Sequence, residues 1–150
     1  MGSSTFTIRQ ISAAETIPLR HSVLRPHQSV DACHYPGDDD PKNFHLGAFK
    51  ADKLISIASY FLENHPDLKG TPQYRLRGMA TDPDFRNMSA GTLLIKKGNE
   101  VLMEKQVPVW WCNARVSAAG YYEKLGLKKL GPQFEIVPIG MHWVMYEELQ

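Results

Sequence analysis

Residues 74–92 read Tyr74-Arg75-Leu76-Arg77-Gly78-Met79-Ala80-Thr81-Asp82-Pro83-Asp84-Phe85-Arg86-Asn87-Met88-Ser89-Ala90-Gly91-Thr92. The opening of this stretch alternates as a strand does. Tyr74, Leu76, Gly78 and Ala80 fall on one face, and Arg75, Arg77, Met79 and Thr81 on the other. Pro83 forbids a simple continuation of that strand. From residue 91 to about 104 the apolar residues Leu94, Ile95, Val101 and Leu102 recur at helical spacing. Gly98 inside this helix costs about 1 kcal/mol relative to alanine. Residues 107–112 form a uniformly apolar run ending Val109-Trp110-Trp111-Cys112, which suits a strand buried on both faces. Strand, helix and buried strand make a βαβ unit, and its crossover should be right-handed. At the junction, the small residues Ser89, Ala90, Gly91 and Thr92 let several backbone N–H groups converge at the positive end of the helix. Such a cradle suits a diphosphate, with Arg86 adding a cation and Ser89 or Thr92 a hydroxyl. An ordinary helix start with Ser89 as N-cap is the competing reading.

Working outward, residues 5–9 alternate like a short strand, and a helix follows over residues 13–24. Ser12 with Glu15 fits an S-x-x-E capping box. Residues 26–43 hold Pro26, Pro36, Gly37, Asp38, Asp39, Asp40 and Pro41, and read as an irregular, exposed connection whose acidic run is solvated. Residues 44–50 and 54–62 form a hairpin around Ala51-Asp52-Lys53. Beyond the βαβ unit, a helix over residues 115–125 carries Ala118, Tyr122 and Leu125 on one stripe. Gly126 stands where a left-handed C-cap belongs. Residues 127–130 and 142–149 read as strands separated by a loop with Pro132, Pro138 and Gly140. The order β-α, long loop, β-β-β-α-β-α-β-β defines an α+β domain built on a mixed sheet.

The chain has 150 residues, and its 43% apolar content is enough for the core of one domain spanning residues 1–150. Seventeen Lys+Arg against sixteen Asp+Glu leave a net charge of +1, so no global positive field recruits nucleic acid. No run of 18 apolar residues occurs, which argues against a membrane partner, and Met1-Gly2-Ser3-Ser4 lacks the features of a signal peptide. Cys33 and Cys112 are the two cysteines. A disulfide between them is conceivable, but the apolar setting of Cys112 favours a small buried thiol in a reducing, cytoplasmic setting. His21, His27, Cys33, His34 and His45 crowd the first third without a zinc spacing, so no metal is expected. A dinucleotide enzyme would need G-x-G-x-x-G after the first strand, and the sequence has none.

A second motif joins the first. Asn113-Ala114-Arg115-Val116-Ser117-Ala118-Ala119-Gly120-Tyr121-Tyr122-Glu123-Lys124-Leu125-Gly126-Leu127 follows the buried strand. The two together resemble the GNAT family of N-acetyltransferases. Arg86 and Gly91 match the ends of that family's Q/R-x-x-G-x-G/A motif, while Asn113, Tyr121, Tyr122, Glu123, Lys124, Gly126 and Leu127 align with its second motif. Resemblance is close over residues 74–130. One departure is Ser89, which stands where the family usually has glycine. If its φ is positive, the side chain carries a strain cost.

The resemblance implies a GNAT-like acyl-CoA N-acyltransferase fold: a mostly antiparallel central sheet, a splayed parallel pair and flanking helices. It implies acetyl-CoA as cosubstrate and direct attack by a free primary amine, from a small molecule or a peptide N-terminus. Met79, Ala80 and Thr81 would pair with the pantetheine arm. Arg86, Asn87, Met88, Ser89, Ala90, Gly91 and Thr92 would hold the pyrophosphate, and Asn113 and Tyr122 would also contact the cosubstrate. Tyr122 matches the family's general acid, although its place on an apolar stripe equally suits packing. A backbone N–H of Met79 or Ala80 would serve as oxyanion donor. The base is open among Glu63, Glu135 and His142, because Arg75, Arg77 and Met79 occupy the strand face where some relatives place a glutamate. The segment Ile139-Gly140-Met141-His142 is similar to a subgroup with G-I-x-H before the last strand. Arg75, Arg77, Arg86, Lys96 and Lys97 would gather around the phosphate site. A homodimer is in keeping with the family. The rival to an enzyme is a non-catalytic acyl-CoA-binding or protein-interaction module on the same fold.

Overall fold

The computed structural model describes residues 5–149. Seven strands and three α-helices follow the expected order. They are β1 (Thr7–Ile11), α1 (Ala13–Leu19), β2 (Phe44–Lys50), β3 (Lys53–Leu62), β4 (Gln73–Thr81), α2 (Ala90–Glu104), β5 (Val109–Arg115), α3 (Ala119–Lys124), β6 (Lys128–Ile136) and β7 (Gly140–Glu148). The strand order is β1-β2-β3-β4-β5-β7-β6. Two compact units emerge. The first comprises the described residues up to Phe61 with Leu76–Val101, the second Leu62–Arg75 with the described residues from Leu102 onward. Among the described residues no helix is long and apolar enough to cross a membrane.

In the first unit the capping box forms as the sequence predicts: Glu15 N donates to Ser12 Oγ at 3.2 Å, and Ser12 N donates to Glu15 Oε1 at 2.9 Å. The helix expected over residues 13–24 ends its α-form at Leu19 and continues as a π-turn over Arg20–Leu24. Pro18 lies inside α1 and supplies no N–H, which loosens the ladder just before the turn widens. Antiparallel pairing of Thr7 with Phe49 through Ile11 with His45 shifts β1 two residues beyond the stretch predicted from alternation. Ile11, Leu19, Phe49, Ile57 and Ala80 form a buried cluster. Gly98 has a packing reason. A methyl there would collide with the Tyr60 hydroxyl and ring, and that ring is fully buried and stacked on Phe44 at 4.8 Å.

The exposed, solvated reading of residues 26–43 needs correction. Cys33, Tyr35 and Asp38 are buried, and Asp38 lies 2.7 Å from the Arg20 guanidinium. A partner 18 positions away in sequence draws the carboxylate inward; Asp39 and Asp40 stay exposed.

In the second unit, β4 pairs in parallel with β5 over Gln73–Arg75 against Val109–Trp111, and both strands run on past that ladder. Strand β5 also pairs antiparallel with β7 along its whole length, ending at Arg115 with His142. That second ladder explains why the predicted helix over residues 115–125 begins late, as a 3-10 turn at Val116–Ala118 and then α3. Two predicted short strands also prove longer, extending as β6 and β7 into the expected loop. Pro132 is accommodated where the register shifts between Leu130 and Phe134.

Candidate active site

In the first unit, β4 leads to the loop of residues 86–89 and the start of α2. Asp82 pins the exit: its N–H donates to Ile55 O at 2.8 Å, and its carboxylate accepts from Asp84 N at 2.9 Å. Asn87 and Ser89 then take left-handed conformations, φ 65° and 68°. The Ser89 reading is thereby resolved on one point. An N-cap residue normally has extended backbone, whereas Ser89 occupies a glycine-like conformation that costs a serine about 1–3 kcal/mol. Left-handed residues of this kind are a component of anion-binding nests, in which successive N–H groups turn to one side, and here Arg86 ahead of the pair is extended. The loop residues Arg86, Asn87, Met88 and Ser89 are exposed, Ala90 is buried, and Gly91 and Thr92 are half-buried in the first turn of α2. Met79 and Thr81 are half-buried on β4, and Ala80 is buried. The Ser56 hydroxyl holds the strand end, donating to Ala80 O at 3.2 Å and lying 2.7 Å from Thr81 Oγ1.

Two of the five basic residues expected around this loop are engaged with aromatic rings. Arg77 lies over the Tyr35 ring at 4.4 Å, and Arg75 belongs to the second unit, over Trp111 at 5.2 Å. Alternation along β4 directs both guanidinium groups onto aromatic faces, where cation–π attraction holds them.

In the second unit, Tyr122 sits near the end of α3. A Schellman motif fixes that end: Leu127 N donates to Tyr122 O at 3.1 Å and Gly126 N to Glu123 O at 3.0 Å, with Gly126 left-handed at φ 104°. Burial drives the Tyr122 pKa well above its ordinary value, with neighbouring Cys112 and Tyr121 pushing the same way. Burial likewise pushes the Cys112 thiol up to about 12. Both groups therefore hold their protons at neutral pH, and both cysteines are free and buried.

The opposite face of this sheet carries Trp111, Asn113 and Val144, which line a cavity of about 620 Å³ together with Glu63, His65, Arg75, Leu130 and Phe134. His142 stands on the same face, one pairing step beyond Val144. Its ring is buried, with Nδ1 2.7 Å from Gly140 O and the ring 6.0 Å from Phe134. A carbonyl oxygen only accepts, so Nδ1 carries the proton and Nε2 is the basic nitrogen of the neutral ring. Glu135 pairs with Met141, is exposed, and alternates to the other face. Sequence reasoning named Glu63, Asn113 and His142 but missed Trp111, His65 and Phe134 as a shared wall. These residues come from separate segments, and no spacing rule links them.

Comparisons with known proteins identify the family and the fold. The model of the Acetyltransferase (GNAT) family matches residues 8–127, running through both units. The uncharacterized N-acetyltransferase YitI of Bacillus subtilis (strain 168) is 47% identical over 143 residues, 95% of this chain and 96% of that protein. Among solved structures, the ribosomal-protein-S18-alanine N-acetyltransferase of Escherichia coli superposes with a TM-score of 0.75 at 15% identity, covering 97% of this chain and 94% of that one. An aminoglycoside 6'-N-acetyltransferase complexed with coenzyme A gives 0.75 at 11% identity, covering 95% and 96%. The structural likenesses establish the fold, and the family match with the close relative establishes the rest: this chain belongs to the GNAT family and is an N-acetyltransferase.

Proposed function

We propose that the protein transfers an acetyl group from acetyl-CoA to a primary amine by direct attack, acting as one domain over its length. The observation that carries the donor half is the left-handed pair Asn87 and Ser89 ahead of α2. It fits a pyrophosphate, because left-handed residues beside a helix start suit backbone donors that receive an anion. Arg86 and Met88 flank the loop, with Ala90, Gly91 and Thr92 beginning the helix. Met79, Ala80 and Thr81 offer the strand backbone to the amide-rich arm, and Asn113 offers its carboxamide.

An acyl-CoA supplies an acyl group activated as a thioester. The neutral amine nitrogen forms a bond to the thioester carbonyl carbon, and the carbon–sulfur bond breaks with its electron pair passing to sulfur. One N–H proton leaves to His142 Nε2, directly or through water, and the sulfur takes the Tyr122 proton. The products are an amide and a thiol. A raised phenol pKa suits this role in one respect, since Tyr122 is always loaded with its proton. It also makes the phenol a weaker acid, which is offset only if the thiolate is made more basic by the same dryness. Cys112, driven up to about 12 beside Tyr122, supports that compensation. The tautomer fixed by Gly140 O supports His142 as base. Glu135 is exposed and is left out of this reading. The amine acceptor occupies the cavity on the Trp111 and Asn113 face.

The test is thiol release from acetyl-CoA across a panel of amines, alongside the melting temperature with and without coenzyme A. Expected are a rise in melting temperature with coenzyme A and turnover of at least one amine. Tyr122→Phe should lower kcat about a hundredfold while preserving the coenzyme A response. An unchanged kcat would remove Tyr122 from the proton transfer. Absence of both turnover and stabilisation would overturn the reading.

A further inference from the structure

The cavity of the second unit has a composition that narrows its occupant. Its floor is the Trp111 indole, held by donation from Nε1 to Glu63 O at 2.9 Å and by the edge of His65 at 5.0 Å. The rim carrying Glu63 and His65 is braced by Gln73, which is fully buried. Gln73 Nε2 donates to Leu68 O at 2.8 Å and to Gly70 O at 2.9 Å, and its Oε1 accepts from His65 N at 2.6 Å. Three hydrogen bonds to one buried side chain tie this loop, and the walls are therefore set before any ligand arrives.

Against these fixed walls, Arg75 is loosely engaged. Its Nη1 lies 3.4 and 3.5 Å from the two Glu63 oxygens, and its Nε is buried with no hydrogen-bond acceptor among the described residues. The guanidinium retains donors that a planar, bidentate acceptor would engage. Glu63, nearly half exposed, is a carboxylate able to receive a cationic amine. Phe134, Leu130 and Val144 complete an apolar side. One guanidinium, one carboxylate and an aromatic floor in one space match a molecule bearing both charges and an apolar body.

We infer that the acceptor is an amino-carboxylate: its carboxylate is received by Arg75, its apolar part lies on Trp111 and Phe134, and its amine stands on the Glu63 side. The inference rests on the reading above that this cavity holds the acceptor. The amine binds as the ammonium ion and loses one proton to solvent before the transfer already described. Asp67, a second carboxylate on the rim, would favour a polyamine instead if Arg75 took no part. The two readings make opposite predictions.

The experiment measures thiol release from acetyl-CoA with phenylalanine, phenylalanine amide, phenethylamine and spermidine. The carboxylate form should exceed the amide and the decarboxylated amine at least about tenfold in kcat/KM, the worth of a charge-assisted hydrogen bond. Arg75→Gln should raise KM for phenylalanine by about tenfold or more with a smaller change in kcat, and erase the preference over the amide. Arg75→Lys should recover part of it. The coenzyme A melting response and the melting temperature of both variants check that the fold and donor site persist. Equal or better turnover of the amide, phenethylamine or spermidine overturns the inference while leaving the N-acetyltransfer reading intact. So does a preference that survives Arg75→Gln in a folded protein. No turnover of any of the four amines overturns the inference, and only with the coenzyme A melting response absent as well does the reading it rests on fall.

Discussion

Arg20 and Arg75 are the same residue in opposite circumstances. Arg20, in the first unit, is fully buried, and its two terminal nitrogens are committed. Nη1 donates to Asp38 at 2.7 Å and to Cys33 O at 2.9 Å, while Nη2 donates to Asp38 at 3.0 Å and Ser59 Oγ at 2.9 Å. The network continues: Ser59 Oγ lies 2.8 Å from His45 Nδ1, and His45 Nε2 lies 3.0 Å from Asp38 O. Since that carbonyl only accepts, Nε2 carries a proton. Arg75, in the second unit, meets one exposed carboxylate at 3.4 Å. Both lie over aromatic rings, Arg20 at 3.9 Å from Tyr35 and Arg75 at 5.2 Å from Trp111. Aromatic stacking therefore does not tell an arginine locked in the core from a loosely engaged one. What separates them is how many donors the protein itself consumes.

The comparison can be broken by deleting each arginine's acidic partner. Asp38→Ala leaves a buried guanidinium without its counter-charge and should cost about 3–5 kcal/mol of stability, read as a large fall in urea midpoint. A loss near that of an exposed pair would mean that Arg20 finds solvent on relaxation. The second test is acid. Burial of Asp38 works to raise its pKa, but hydrogen bonds from Arg20 and Tyr35 N with the Arg20 and His45 charges outweigh it, and the net shift is downward. A depressed carboxylate contributes stability that is present above its unfolded value, about 3.9, and lost as pH falls toward its folded value. Melting temperature in the wild type should drop below about pH 4 by more than in Asp38→Ala, which lacks that component. Parallel acid limbs would remove Asp38 as the cause. The smallest effect is expected at the other arginine. Glu63→Gln removes an exposed partner and should shift stability by no more than about 1 kcal/mol. A loss as large as that of Asp38→Ala would erase the distinction between the two sites.

The same contrast marks where the sequence is readable. The β4–α2–β5 unit and its junction are legible because period-two alternation, helical spacing and small loop residues are local signals. Gly126 is legible for the same reason, since a helix end demands left-handed backbone within a residue or two. Asp38 is not. Its burial depends on Arg20 and on hydroxyl and carbonyl groups from other segments, and in isolation Asp38-Asp39-Asp40 looks like a solvated run. The extension of β6 and β7 is likewise a product of pairing, which overrides Pro132 through a register shift. For the candidate site, the loop proposed for the pyrophosphate could be seen in the chain, and the side-chain-made cavity could not. Glu63, Arg75, Trp111 and Phe134 acquire meaning together only after the strands are laid side by side.

The contact between Gly98 and Tyr60 bears on how this chain can change over generations. Each position holds the other in place: a larger residue at 98 is admissible only after 60 has shrunk, and a smaller residue at 60 opens a void that only a larger 98 can fill. Neither substitution is tolerated first without loss, so the pair forms a small valley between two acceptable sequences. Helices that approach their sheet through a glycine in this way are expected to drift together with one specific partner, and to keep their spacing while the surrounding surface is free to vary.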